Sequence, residues 1–281
     1  MRIAAVVALV ALVLAAGAQA DGFLPSPGTL TGWDGVVGPQ GTVRYVALPT
    51  KGAATTVAAV RVSDGRVLRW TWSPVRGDLG IPLVTNGGLG EADGISANSR
   101  TLVLASLPGT LPGGGTRLAV LRLPGLRSVK LIDLPGLWSF DAISPDGRTI
   151  YAIEYLSGRT VANPRYRVRA IDVGAGRARR GAIVDRREPG PMVGVPRARA
   201  YGEGRRFAFT LYTRQNGTAF VHALDTVRAT ARCIDLPRRA ITEPVALRLR
   251  VVDRALEVRQ RGRVLARVDL DRAGPAESSR R

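Results

Sequence analysis

Short apolar runs recur along this chain, each bounded by turn-forming residues, and no stretch of 10–12 residues carries the apolar stripe of an amphipathic helix. The clearest unit spans residues 139–155, where Phe140-Asp-Ala-Ile143 and Thr149-Ile-Tyr-Ala-Ile153 flank Ser144-Pro145-Asp146-Gly147. Proline presets φ at the second position of a type I turn, serine suits the first and glycine the fourth, so this reads as a tight hairpin. Laid along the chain on its turn glycine, the unit matches at Gly41, Ser99, Gly147, Gly204 and Arg254, with spacings of 58, 48, 57 and 50 residues. Each copy predicts an apolar second strand after the turn, at 43–48, 101–106, 149–155, 206–212 and 255–260. In the first four copies a third strand follows (56–62, 116–123, 166–173 and 218–224), then a second turn and an outer strand (67–72, 127–134, 178–184 and 229–236). Alternation is plain in Tyr166-Arg-Val-Arg-Ala-Ile171, which sets Val168 and Ala170 opposite Arg167 and Arg169.

A period near 50 with four short strands per period predicts an all-β chain folded as a β-propeller of four-stranded antiparallel blades, five by repeat count. The fifth unit is short, with strands at 247–251, 255–260 and 263–270 before a polar tail at 272–281. A strand borrowed from residues 29–38, within the N-terminal segment 21–38, is expected to complete it, which leaves 39–271 as the propeller domain.

Phe140-Asp-Ala-Ile-Ser-Pro-Asp-Gly-Arg-Thr-Ile-Tyr151 followed by Val168-Arg-Ala-Ile-Asp-Val173 resembles the WD-related repeat of TolB-type and YVTN-type propellers. In that repeat an S-P-D-G hairpin joins the two inner strands and an aspartate follows the third. The second unit (Asp93-Gly-Ile-Ser-Ala-Asn-Ser-Arg-Thr-Leu-Val103) and the fourth (Tyr201-Gly-Glu-Gly-Arg205) are looser matches. Propellers of these types usually have six or seven blades, so the resemblance keeps those counts open beside five. It implies a fold, and such folds host many functions.

Composition adds an address. Met1-Arg2, an apolar run at 3–16 and Gly17-Ala18-Gln19-Ala20 have the form of a secretory signal peptide, 1–20, cut after Ala20. The expected mature protein is secreted or periplasmic, monomeric and without a membrane span. Cys233 is the only cysteine and His222 the only histidine, so one chain makes no disulfide and no zinc or copper site of the usual kind. No metal and no cofactor are expected. The net charge is +19, and 39 of the 41 basic residues are arginine. They are spread along the whole chain, which is the pattern of a solvated surface rather than one patch. For an exported protein the polyanion they would attract is an anionic envelope polymer, not nucleic acid.

Catalytic signatures are absent. There is no Gly-x-Ser-x-Gly elbow and no phosphate loop, and His222 and Asp225, three apart in a strand, point to opposite faces. Asp172 and Asp225, at the ends of third strands, suit acceptance of turn N–H groups. Asp93 and Asp141 are equivalent, six residues before Ser99 and Gly147, where innermost strands enter near a propeller's channel. Ala198 holds that place in the fourth unit, between Arg197 and Arg199. The loops from second to third strand open on the same side and carry Tyr155, Arg159 and Arg165, then Tyr212 and Arg214, residue types enriched at binding hot spots. Asp93, Asp141, Tyr155, Arg159, Arg165, Arg197, Tyr212 and Arg214 are therefore the candidate binding residues of an interaction module for a protein or an anionic envelope polymer. The alternative is a propeller hydrolase or glycan-cleaving enzyme using Asp93, Asp141 and Glu154.

Overall fold

The computed structural model describes residues 35–50, 54–73, 79–84, 91–107, 109, 111, 113–156, 164–237, 241 and 246–270. The signal segment and the 272–281 tail lie outside the described residues.

The chain forms five antiparallel sheets in sequence order. The first holds β1 (Val36–Val37), β2 (Val43–Thr50), β3 (Ala54–Arg61) and β4 (Val67–Ser73). The second holds β5 (Leu79–Gly80), β6 (Thr101–Ser106), β7 (Thr116–Arg122) and β8 (Arg127–Leu134). In the third, β9 (Trp138–Ile143), β10 (Thr149–Tyr155), β11 (Arg165–Asp172) and β12 (Arg177–Ala178) are joined by β13 (Met192–Val193), which also pairs with β11. β14 (Val195–Tyr201), β15 (Phe207–Thr213), β16 (Ala219–Asp225) and β17 (Thr230–Asp235) make the fourth; β18 (Leu247–Val252), β19 (Ala255–Gln260) and β20 (Arg263–Asp269) make the fifth. Each sheet pairs its strands consecutively, innermost to outermost, as propeller blades do.

The inner hairpin turns share one conformation. Gly41, Ser99 and Gly147 have positive φ and donate to the carbonyl three residues back; in the fourth blade Arg205, one residue after the aligned Gly204, holds that place, and in the fifth Asp253, one residue before the aligned position, has the positive φ. The weak copy Ser96-Ala-Asn-Ser99 reproduces the hydrogen bonds of Ser144-Pro-Asp-Gly147. Ser144 Oγ donates to Asp146 Oδ1 (2.6 Å), which accepts from Arg148 N–H (3.0 Å); Ser96 Oγ donates to Asn98 Oδ1 (2.7 Å), which accepts from Arg100 N–H (3.0 Å). Neighbouring turns touch, because Asn98 donates through N–H to Pro145 O (3.1 Å) and through Nδ2 to Asp146 O (3.2 Å).

Blades stack face on face through four apolar clusters. Tyr45, Ala47 and Val57 of the first meet Leu79, Ile95, Leu102 and Leu104 of the second. Val103, Leu118 and Val120 of the second meet Trp138, Phe140 and Ile150 of the third. Tyr151, Tyr166 and Val168 of the third meet Ala208, Tyr212 and Phe220 of the fourth. Phe209, Leu211 and Val221 of the fourth meet Leu247, Leu249, Leu256 and Val258 of the fifth. Among the described residues no such cluster joins the fifth blade to the first.

Three expectations need correction. Val36 and Val37 pair with Tyr45 and Arg44 of β2, so the described end of the 29–38 segment is the innermost strand of the first blade, not the closing strand of the fifth. Residues 29–34 of that segment lie outside the described residues. The outer strand expected at 178–184 is broken: past the Arg179 N–H bond to Ala170 O (2.7 Å), contact with β11 resumes at Ile183, opposite Val168, and β13 takes up the pairing at Arg165 and Tyr166. Gly181, at φ +83°, turns the chain away between those contacts. In the second blade the innermost strand is interrupted. β5 pairs with Ser106 and Ala105, and the pairing resumes only at Ile95, opposite Leu102. The intervening excursion folds back on itself through the Leu83–Ala92 bridge and re-enters at Gly94, whose φ is +113° and where a Cβ would sit 2.6 Å from the Val103 carbonyl oxygen.

Phe140, fully buried between the second and third blades, tests the face-to-face packing. Phe140→Ala is expected to lower stability in urea unfolding by about 3–5 kcal/mol. Val129→Ala, on an outer strand and 45% exposed, is expected to stay within about 0.5 kcal/mol.

Candidate functional site

The excursion in the second blade carries Glu91 and Asp93 inward to the fourth blade. Asp93 is buried, accepts from its neighbour's Gly94 N–H (2.7 Å) and forms a close ion pair with Arg205. Glu91 Oε2 accepts from Arg199 N–H (3.0 Å). Asp141 reaches the Arg199 guanidinium from the third blade through a β-bulge. Phe140 pairs with Ala152 and Ala142 with Tyr151, so Asp141 is the extra residue, and bulges re-aim side chains in this way. Its carboxylate forms a buried pair with the Arg199 guanidinium, whose Nη1 also donates to the Asp141 carbonyl oxygen (2.9 Å). Both guanidiniums lie over the ring of Tyr201, Arg205 at 3.8 Å and Arg199 at 5.6 Å from its centroid.

The charges balance locally. Burial raises the Glu91 carboxyl above its ordinary value, opposed by the positive charges of Arg199 and Arg248. Four buried polar atoms remain without partners: Asp93 Oδ2, Asp141 Oδ2, Arg199 Nε and Arg205 Nε. Among the described residues no group of three or more histidine, cysteine, aspartate or glutamate side chains converges to hold a metal ion. The arrangement ties the second, third and fourth blades together, and it presents no free carboxylate pair for acid–base chemistry.

The tyrosines lie deeper than the sequence implied. Tyr212 is fully buried in β15, so it offers no contact surface. An aromatic ladder runs between the third and fourth blades from Tyr155 to Tyr166 (6.2 Å between centroids), then Tyr212 (5.7 Å) and Phe220 (5.1 Å), and Arg214 covers Phe220 at 4.2 Å. The Tyr155 hydroxyl lies 3.1 Å from Ser139 Oγ. The structure thus joins Tyr155, Tyr212 and Arg214, but inside a blade interface rather than on a loop rim. Arg197 is a bulge residue of β14 whose Nε donates to Thr213 Oγ1 (2.9 Å), and it does not join the central pairs. Arg165 is exposed at the start of β11. Arg159 lies outside the described residues. Burial would raise the Glu154 carboxyl, but hydrogen bonds from Arg167 (2.6 Å) and Arg169 (3.3 Å) outweigh it and hold the group below its ordinary value. Asp172 accepts from Ala175 N–H, and Asp225 from Val227 and Arg228 N–H, each at 2.9 Å, so both brace their turns.

Sequence reasoning missed Glu91, Tyr201 and Arg205, because an excursion of irregular length and a short 3-10 turn bring them to the centre. It also passed over the free face of the first blade. There the register aligns Val37 with Arg44, Val46 with Ala58, Val60 with Val67, Ala58 with Trp70 and Thr56 with Trp72, while the alternate residues pack on the second blade. Trp70 is 65% and Trp72 57% exposed, and Leu48 and Val67 are also exposed. The signal was present in Trp70-Thr-Trp72, whose period of two places both indoles on one face.

No family model matches the chain, and no curated protein matches it. Solved structures with a similar course include hydrazine synthase from Kuenenia stuttgartiensis (14% identity, TM-score 0.45, 86% of this chain and 58% of that one). TolB from Acinetobacter baumannii matches at 12% identity and TM-score 0.43, over 84% of this chain and 51% of that one. The propeller domain of Cps50 (Swd1) from Myceliophteria thermophila matches at 12% identity and TM-score 0.46, over 82% and 64%. The chain therefore spans about half to two thirds of the length of these structures. The β-propeller fold itself rests on the repeat, the strand order and the blade packing described above.

Two predictions follow from the buried charges. Arg199→Met, which strands Asp141 in a site where both side chains are 2% exposed, is expected to cost about 3–5 kcal/mol in urea unfolding. Arg199→Met combined with Asp141→Leu is expected to recover most of that loss, since no unpaired charge remains. The second concerns His222, which is 1% exposed with neither ring nitrogen hydrogen-bonded, and which faces Asp141, Arg199 and Asp185. Burial holds its pKa below the ordinary 6.5. Below pH 6.5 the unfolded chain binds a proton there that the folded chain refuses, so stability falls as pH drops through that value and is unaffected by this residue above it. His222→Gln is expected to flatten thermal stability between about pH 6.5 and 5, a window above the ordinary range of the carboxylates.

Proposed function

We propose that this chain is an exported binding module that engages a protein partner through the free face of its first blade. The observation that carries this reading is the pair Trp70 and Trp72, exposed side by side on a sheet face with Val46, Leu48, Val60 and Val67. A contiguous apolar patch of this kind marks an interaction surface, and tryptophan is the residue most enriched among binding hot spots. The face carries one charge, Arg44, and no carboxylate among its described residues. An anionic envelope polymer would gain little from such a face, whereas an apolar protein surface is complementary to it.

The hydrolase reading draws no comparable support. Asp93, Asp141 and Glu154 are each engaged by arginine, and Glu154 is held below its ordinary value, whereas a general acid needs a carboxyl pushed up by its surroundings.

Trp70→Ala combined with Trp72→Ala is expected to remove at least one abundant partner from pull-downs of an envelope extract, because hot-spot truncations cost about 2 kcal/mol or more each. The melting temperature should change little, since both indoles are exposed. Unchanged recovery of every partner by the double variant would overturn the reading.

A further inference from the structure

Resting on that binding reading, we infer the chemistry of the occupant: an acidic protein that lays an apolar β-sheet face on the first blade, in the way a neighbouring blade would. Two features of the molecule point there. The first is shape and polarity. Every other apolar blade face in the described chain packs its inner strands on the adjacent blade, with Val129 and Leu131 of the second blade's outer strand left exposed, and the one remaining partnerless sheet face, that of the fifth blade, is charged. Arg248 and Arg250 project from it opposite Arg259 and Glu257, and Arg267 lies beside Glu257, so it does not match the Trp70–Trp72 face. What covers that face is an apolar sheet surface from elsewhere.

The second feature is charge, and it decides between a second copy and a different protein. Residues 35–73 contain Arg44, Lys51, Arg61, Arg66 and Arg69 against the single acid Asp64, which Arg61 engages at 2.9 Å. Face-to-face pairing of two copies would bring two such basic blades together in chains of net charge +19, with Arg44 of each on a surface that offers no carboxylate. Long-range repulsion slows that encounter, and an unpaired buried charge weakens the product. An acidic partner turns both costs into gains. Apolar contact at Trp70 and Trp72 supplies residence time, while the net positive charge of the blade and a carboxylate facing Arg44 supply encounter rate and register.

The test places benzoylphenylalanine at position 48, on the free face but away from both indoles, in the full chain expressed in its source cells, followed by illumination. The adduct is identified, and the binary affinity is measured with purified, unmodified proteins. Support requires three results together: a partner with an acidic isoelectric point cross-linked through an apolar strand, at least tenfold weaker binding at 500 mM than at 50 mM salt, and at least hundredfold loss with Trp70→Ala/Trp72→Ala. A neutral or basic partner, or salt-independent affinity, overturns this inference and leaves the binding reading intact. An adduct with a second copy, or with residues 21–34 of the same chain, overturns both, and so does the absence of any adduct.

Discussion

A β-sheet has two faces, and each must meet water or another apolar surface. That constraint governs this molecule. Five sheets placed in series form four interfaces, and each uses one face of either neighbour, so the three middle blades are buried on both sides. Burial is accordingly deepest in strands such as β9 and β16, which are buried at every position. The end blades each keep one face over. The fifth resolves this chemically, because β18 alternates Leu247-Arg-Leu-Arg250 and turns leucine to its neighbour and arginine outward. The first does not, since its outward face repeats the valine, alanine and tryptophan of an interior interface. The same rule that makes the middle of the chain stable thus leaves one surface whose composition makes sense only when something covers it.

The centre of the molecule illustrates a different trade. Burying an ion pair gains little net stability, because desolvation cancels much of the attraction, whereas leaving one member unpaired is costly. Pairs such as Asp141–Arg199 and Asp93–Arg205 therefore penalise wrong arrangements more than they reward the right one. Their geometry fits that role. Apolar packing joins only consecutive blades, but Asp93 and Glu91 of the second blade bond to the fourth, and Asp141 of the third engages the same Arg199 as Glu91. Apolar faces can slide or re-pair with modest loss, and a guanidinium fixed by a carboxylate and a backbone carbonyl cannot. Blade order and angle are specified here, at the convergence of the innermost strands.

Much of the fold was legible because a repeat imposes the same local solution several times. The turn at Ser144–Gly147 announced itself through proline and glycine, and Ser96-Ala-Asn-Ser99 could be aligned with it although it shares one residue in four, because asparagine and serine reproduce the same hydrogen bonds and positive φ. Third-strand aspartates were readable for the same reason. Features without a repeating signature were not. The excursion between Gly80 and Ile95 has no counterpart in the other blades, so nothing in the period foretold that Asp93 would cross to Arg205 rather than line an open channel. Tyr155 and Tyr212 sit at equal offsets from Gly147 and Gly204, but the fourth turn closes on Arg205, one residue later, so the two are not equivalent and meet from opposite sides of one interface. Whether such a position lies in a loop or inside an interface depends on the length of the strand, and β15 runs one residue past Tyr212, to Thr213.

The same logic explains why the free face of the first blade escaped notice while arginine-bearing loops drew attention. Seen within one repeat, Val67-Leu-Arg-Trp-Thr-Trp72 is an ordinary outer strand, with apolar residues alternating as they do in Arg127–Leu134 of the second blade. Its meaning changes only when the blades are counted and no neighbour remains for that side among the described residues. The register equivalents in the second blade are Leu131 and Asp133, of which Leu131 is 44% exposed; in the first, Trp70 and Trp72 stand 65% and 57% exposed with no blade beside them among the described residues. Tryptophan is also a poor choice for a surface left to water, where alanine, threonine or arginine would satisfy the sheet at no cost in solubility. Two of the four tryptophans of the chain on one uncovered face therefore argue for an occupant more strongly than the dispersed arginines argue for a polyanion, because the arginines have the solvent and the indoles do not.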